Sequence, residues 1–311
     1  MQYPKNKSIG IIGLDAMHAA ALTKAINTAH PSSSGVGDYL GYRVTAAFPQ
    51  GSKLLEYRIE NIPKYTAAVK ELGVKIVGSI DELLQEVDQV IMTSNDGHVH
   101  LEQALPVIHG GKTLFIDKPL AGSWPDAVAI YKAAEEYGTP TFSSSSLRFI
   151  SGIQQLDRSK TGAVLGAHTF SPALFEPSLP ELLWYAIHGI EMLFAVMGVG
   201  CDQVQRTFTQ DYDLLTGVWK DGRVGTFRGS RTGKAAYGGT VFGEHGNVTL
   251  GGFEGYEPLA LAIVNFFETK IPPVKLTETL EIIAFILAAE ESKVKGGIPV
   301  KVKARPHFHV K

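Results

Sequence analysis

The chain has 311 residues, 29 basic and 31 acidic side chains, a formal charge of −2, 44% hydrophobic residues and one cysteine. That length provides for about two domains, each able to bury its own core, and the near-neutral balance leaves no electrostatic reason to expect nucleic acid or an anionic membrane as partner. The lone Cys201 excludes an internal disulfide and has no partner for a thiolate metal site, so small molecules and a reducing cytoplasm are the expectation.

Residues 1–9 are polar and the longest apolar run, 282–289, falls far short of a bilayer span, so neither a signal peptide nor a membrane anchor is expected. Short β-branched runs predict strands over 8–13, 42–48, 74–77, 89–93 and 113–116, with amphipathic helices near 17–28, 63–72, 80–86 and 99–109 between them. Ser79 and Glu82 form a capping box, and Ser123-Trp-Pro-Asp126 opens a further helix near 124–137 with proline in its first turn. Strand and helix in alternation make a parallel sheet covered by helices.

After Ser143-Ser-Ser-Ser146 the rhythm changes: strands follow one another from 164 to 250, interrupted by one helical stretch over 180–197. Asp221-Gly222 and His245-Gly-Asn247 mark hairpin turns. Helices near 258–269 and 277–293 close the chain, the second with Ile282, Ile283, Ile286 and Ala289 on one face. The organisation is therefore an α/β Rossmann domain over 1–143 and an α+β domain with a large, mainly antiparallel sheet over 144–311, the final helices being able to pack back on the first domain.

The first strand runs into Gly13-Leu-Asp15-Ala-Met17-His18, where a dinucleotide-binding domain carries G-x-G-x-x-G, and only the first glycine is present. Asp15 either stands beside the phosphate position, its repulsion partly offset by the helix dipole, or caps the first helix. The second strand ends in Phe48-Pro-Gln-Gly-Ser-Lys53 without the acid that accepts ribose hydroxyls. Gly51, Ser52 and Lys53 either receive a 2′-phosphate, which tilts the cofactor towards NADP, or form a solvated turn.

The fourth strand ends in Thr93-Ser94-Asn95-Asp-Gly-His98-Val-His100 and the fifth in Gly110-Gly-Lys-Thr-Leu-Phe-Ile-Asp117-Lys118-Pro119-Leu120. Together these loops resemble the Gfo/Idh/MocA family of oxidoreductases, whose members show a T-x-N-x-x-H-like loop followed by G-K-x-x-x-x-E-K-P; Asp117 stands for the glutamate. The resemblance runs over essentially the whole chain. The expected NAD(P) contacts are Gly13, Asp15, Met17, His18, Ser52, Ser94, Asn95, His100, Asp117 and Lys118; among them the resemblance implies Asn95 and His100 on the ribose and nicotinamide side and Lys118 beside the nicotinamide and the reacting hydroxyl, with Pro119 in a fixed bend that relatives often make cis. An ammonium polarises a carbonyl or stabilises an alkoxide, so the residue type suits the task; the alternative is a solvated surface lysine.

The segment Glu181-Leu-Leu-Trp184-Tyr185-Ala-Ile-His188-Gly-Ile-Glu191 is similar to the family's D-x-G-x-H-x-x-D pattern, with His188 as the catalytic histidine, Glu191 as the second acid and Trp184 where many relatives have aspartate. On one helix Trp184, Tyr185, His188 and Glu191 share a face, and Tyr185 or Glu191 orients His188. The alternative is a core histidine satisfied by a carboxylate. Arg148 either adds a cation for the substrate or braces the domain junction. His98 with His100, and His307 with His309, have metal-like spacing on an extended strand but no evident third ligand, so no metal is assigned.

The resulting expectation is an NAD(P)-dependent oxidoreductase acting on a sugar, sugar acid or cyclitol, with Lys118, His188, Tyr185 and Glu191 catalytic and Lys118, Arg148, Trp184 and His188 on the substrate. The alternatives are a retained-cofactor enzyme with net non-redox chemistry and a non-catalytic sensing protein. A homodimer or homotetramer through the second sheet is implied by the resemblance, with Phe227, Tyr237, Val241 and Phe242 either contacts of that interface or core residues, since strand register is not readable from the sequence.

Overall fold

The apolar runs of the first strands can be buried on both faces only if helices cover the sheet on both sides. The computed structural model describes residues 7–28 and 40–303. Strands β1 (Ser8–Ile12), β2 (Arg43–Phe48), β3 (Lys75–Ile76), β4 (Gln89–Met92), β5 (Thr113–Asp117) and β6 (Thr141–Ser144) form a parallel sheet in the order β3-β2-β1-β4-β5-β6. Ile11 lies opposite Ala47 on one side and Ile91 on the other, all three fully buried. Helices α1 (Met17–Thr28), α2 (Glu56–Ile59), α3 (Ile62–Glu71), α4 (Ile80–Glu86), α5 (His100–His109) and α6 (Trp124–Glu136) connect the strands.

The predicted caps form. Ser79 Oγ accepts from Glu82 N–H at 3.1 Å, Glu82 Oε2 accepts from Gly78 N–H at 2.8 Å, and Ser123 Oγ accepts from Asp126 N–H at 3.2 Å. Strand β6 was not anticipated: half of the serine run is strand, because Phe142 is fully buried with ring centroids 4.8 Å from both Phe115 and Phe266, while its small hydroxyl neighbours hide the alternation.

The chain divides into two compact units, one comprising the chain up to Ser144 with Gly255–Leu276, the other Ser145–Glu254 with Thr277 onward. In the second unit lie α7 (Ser151–Gln154), α8 (Arg158–Thr161), β7 (Val164–Pro172), α9 (Glu181–Trp184), α10 (Ile187–Met197), β8 (Cys201–Phe208), β9 (Tyr212–Trp219), β10 (Val224–Ser230), β11 (Gly238–Gly243) and β12 (Gly246–Thr249). Helix α11 (Glu257–Thr269) belongs to the first unit, whereas α12 (Leu276–Val294) and β13 (Val300–Lys301) fall essentially in the second. The second sheet runs β12-β11-β7-β10-β9-β8-β13, antiparallel throughout except for the β7–β10 pair.

Two expectations for this sheet are corrected. The stretch over 180–197 is two helices, broken at Tyr185 and Ala186: α9 is held separately, with Leu182 N–H donating to Glu290 Oε1 at 2.9 Å and Glu181 pairing with Arg206 and Lys293. The β11–β12 turn is Glu244-His245, since Gly246 already pairs with Gly243, whereas the Asp221-Gly222 turn forms with Gly222 at φ +88°. Of the residues left open between interface and core, Phe227 and Val241 are fully buried within the unit and Phe242 is 41% exposed. A strand's two faces are distinguished only by its neighbours, so the sequence could not make that choice. Among the described residues no helix is long and apolar enough to cross a membrane.

Phe227 reaches the second sheet's helix α10 at Gly189, where an added Cβ would stand inside contact distance of the Phe227 ring. Gly189→Ala is expected to cost about 1–3 kcal/mol by overpacking, and Phe227→Leu in the same chain to return part of it. Chemical denaturation of the single and double variants reads this; equal stability of Gly189→Ala and the parent would contradict the packing.

Candidate active site

In the first unit the C-terminal ends of β1, β2, β4 and β5 converge, as ligand-binding crevices require in a doubly wound sheet. Gly13 turns the chain from β1 into α1 at φ +91°, and a Cβ there would collide with Ser94 Oγ and backbone N, so only glycine fits. Asp15 takes neither of its expected roles as its main one. Fully buried, it accepts from Ser52 N–H (2.8 Å) through Oδ2 and from Asn95 N–H (3.0 Å) through Oδ1, bolting three loops together. Burial pushes its carboxyl above the usual range, against those hydrogen bonds and the nearby Arg58 charge. A Cβ on Gly51 would lie 2.6 Å from Asp15 Cγ, which is why the β2 loop needs its glycine.

Ser52 points inward: its hydroxyl donates to Asp96 Oδ2 at 2.8 Å and accepts from Leu55 N–H at 2.8 Å, while Lys53 Nζ meets Glu102 Oε2 at 2.6 Å. Burial alone would raise the Asp96 carboxyl, but hydrogen bonds from His98 N–H, the Ser52 hydroxyl and the His98 ring hold it below its ordinary value. Asp96 was missed as a pinning residue, although its place inside the quoted loop was a usable signal. Arg58 was also missed: with the Asn95 amide oriented so that Oδ1 faces it, Nη2 and Nε lie 2.9 and 2.8 Å away. Nothing near β2 in sequence signals that α2 brings Arg58 there.

Lys118 follows β5, is 4% exposed and precedes Pro119 through a cis bond. His18, at the third-glycine position, pairs through Nδ1 with Asp117 Oδ2 and lies 5.2 Å, ring to ring, from Tyr256. Met17 is 55% exposed. Ser94 and His100 are fully buried: Ser94 Oγ donates to Gln103 Oε1 at 2.7 Å, and the His100 ring nitrogens face the carbonyls of Ser94 (2.7 Å) and Leu120 (3.3 Å). His98 and His100 do not converge as metal ligands: they sit in a 3-10 turn and the start of α5 rather than on a strand, and each answers to different partners. His307 and His309 lie outside the described residues. The geometry fits a dinucleotide, because the buried Asp15 leaves the tight turn and the N-terminus of α1 without a carboxylate facing outward.

In the second unit, His188 Nδ1 lies 2.7 Å from Ser145 Oγ, and its ring is 6.0 Å from those of both Tyr185 and Tyr237. Burial and the neighbouring Tyr185 raise the Tyr237 phenol above its ordinary value, and this tyrosine, which sequence reading placed on the dimer face, borders the His188 ring. Trp184 and Glu191 are buried, so the expected shared face resolves into two accessible rings, Tyr185 and His188, with the other pair beneath them. Glu191 Oε2 accepts from Ser145 N–H at 2.9 Å. Arg148, 7% exposed, braces this unit internally, bonding Glu191 O at 3.2 Å and Glu278 Oε1.

The profile of an oxidoreductase family with an NAD-binding Rossmann fold, Gfo/Idh/MocA, matches residues 7–144. That match spans the first unit's parallel sheet and its connecting helices, less than half of the chain. An uncharacterized oxidoreductase of Streptococcus pneumoniae serotype 4 is 29% identical over 127 residues, a stretch that spans 39% of this chain and only 34% of that protein. Among solved structures, GenD2 from gentamicin A biosynthesis in complex with NAD is similar at TM-score 0.75 and 16% identity, covering 97% of both chains. Scyllo-inositol dehydrogenase from Lactobacillus casei with NAD(H) and scyllo-inositol gives 0.72 at 17% identity, over 96% of this chain and 99% of that one. Levoglucosan dehydrogenase in complex with NADH and levoglucosan gives 0.76 at 15%, over 96% and 100%. At such identities the likeness shows the fold alone: a doubly wound α/β unit followed by an α+β unit.

A carboxyl raised by burial keeps its proton in the folded chain above pH 3.8, where the unfolded chain has lost it, so Asp15 subtracts stability as pH rises from there through its folded value. Asp15→Asn removes that cost at the expense of one acceptor. Its stability relative to the parent is therefore expected to improve with rising pH, read by parallel denaturation at several pH values. A difference independent of pH would contradict the assignment.

Proposed function

We propose that this protein is an NAD(P)-dependent oxidoreductase that moves hydride between a nicotinamide and a hydroxyl-bearing carbon of a sugar, sugar acid or cyclitol. The observation that carries the reading is Lys118, nearly buried at the C-terminal end of β5, on the same sheet edge as the Gly13 turn and the start of α1. The family description supports the cofactor class, and the inositol and levoglucosan dehydrogenases among the structural neighbours support the substrate class.

Amides at the start of α1 and the Gly13 turn would hold the pyrophosphate; Asn95 and the His18–Asp117 pair would border the nicotinamide side. When bound, the dinucleotide supplies the hydride exchange. Lys118 binds the substrate oxygen and stabilises the charge that grows on it as its proton leaves, and His188 takes that proton, with Tyr185 and Glu191 around it. A preference for NADP would rest on Lys53 and the Gly51 backbone, since the Ser52 hydroxyl is committed to Asp96. Pairing of copies through the second sheet would use its exposed side, which carries Leu214, Val224 and Phe242.

Lys118→Ala and His188→Ala are each expected to lower kcat/KM for the responsive polyol by about 10²–10⁴-fold while dinucleotide affinity, followed by nicotinamide fluorescence, changes little. Unaltered turnover in either variant overturns the role of that residue. A folded parent that binds neither NAD nor NADP overturns the enzyme reading in favour of a sensing protein. Mass spectrometry of small molecules released from the purified chain would identify a retained cofactor.

A further inference from the structure

Ser145 is held by three hydrogen bonds through two of its atoms. Its Oγ accepts from Leu147 N–H at 3.2 Å as the cap of the 3-10 turn over Ser146–Phe149, its own N–H donates to Glu191 Oε2 at 2.9 Å, and Oγ lies 2.7 Å from His188 Nδ1. The serine is fully buried, Glu191 is 3% exposed, and Arg148 fixes Glu191 in turn through its backbone oxygen at 3.2 Å. The hydroxyl therefore cannot swing away from the imidazole without giving up a cap, and the carboxylate one helical turn along α10 from His188 grips the serine by its backbone. A serine oxygen has two lone pairs, enough to accept from both Leu147 N–H and an imidazole N–H.

We propose that Ser145 is the positioning residue of His188, its oxygen accepting from Nδ1–H so that the lone pair stays on Nε2 and the ring is fixed for proton transfer. This rests on the reading of His188 as the proton-handling group. Glu191 acts on the histidine through the serine, and Arg148 holds Glu191 in place. Tyr185 and Tyr237 are the titratable rings facing the imidazole from the α9–α10 break and from the segment before β11. An oxygen accepting from Nδ1–H stabilises the imidazolium as well, so its removal should move the histidine's titration to lower pH. Proton traffic at Nε2 needs only that tautomer, and the reacting hydroxyl would lose or gain its proton there.

The test uses the full-length protein labelled with ¹⁵N, with His188 ring signals assigned by their loss in His188→Gln. The expected parent spectrum shows the neutral ring protonated on Nδ1; in Ser145→Ala the tautomer populations mix and the titration midpoint falls. With the substrate and dinucleotide that support turnover, the acid limb of the kcat/KM profile moves to lower pH and kcat drops about ten- to a hundredfold with KM within about threefold. Ser145→Thr, which keeps the hydroxyl, restores both. A parent ring protonated on Nε2, or a Ser145→Ala variant with unchanged tautomer and unchanged pH limb, overturns the proposal. If Ser145→Ala fails to fold, the parent spectrum and Ser145→Thr still decide it. Full turnover in His188→Gln would sink the proton-handling reading alone, because the ring spectra judge the serine pairing independently.

Discussion

The first unit depends on one buried carboxylate. Asp15 stands where a dinucleotide loop ordinarily has a glycine that lets phosphate approach, yet it is turned inward and accepts backbone N–H groups from the β2 and β4 loops. Burying an ionisable group without partners costs several kcal/mol, so its two hydrogen bonds are the condition for the loop to exist in this form. Around that bolt the other choices follow: glycine at positions 13 and 51 for want of space, Ser52 turned to Asp96, and Asn95 carried into reach of Arg58. The sheet edge is thus preorganised by polar contacts between loops rather than by a run of glycines.

In the second unit the same economy appears around His188. Its ring is bordered by two tyrosines and bonded to a serine whose own amide is tied to Glu191. A hydroxyl anchored by a cap and a carboxylate orients an imidazole as a direct carboxylate would, with less stabilisation of the imidazolium. Trp184 is buried and packs beside Tyr185.

Much of the fold was legible. Helices over Met17–Thr28 and Ile80–Glu86 have the bounds that spacing and capping residues predict, and five of the six parallel strands follow from β-branched runs. Strand β6 escaped because three of its four residues are Thr or Ser, whose burial depends on the ring of Phe142 finding Phe115 and Phe266. The break at Tyr185–Ala186 escaped because a continuous helical pattern carries no sign of the distant Glu290 and Arg206 that hold α9 apart. At the site, motif reading named Lys118, Asp117 and His188, but not Arg58, Asp96, Ser145 or Tyr237.

The sequence by itself determined most of the alternation of strands and helices in the first unit, the turn at Gly13 and several of the polar residues at the strand ends, because periodicity, capping and turn chemistry act over a few neighbouring residues. Only the tertiary structure decided which way those side chains point. Asp15 meets partners 37 and 80 positions away and Ser145 meets one 43 positions away, so whether a carboxylate faces a phosphate or a loop amide, and what a histidine leans on, was set by which distant segments the packed sheets bring together.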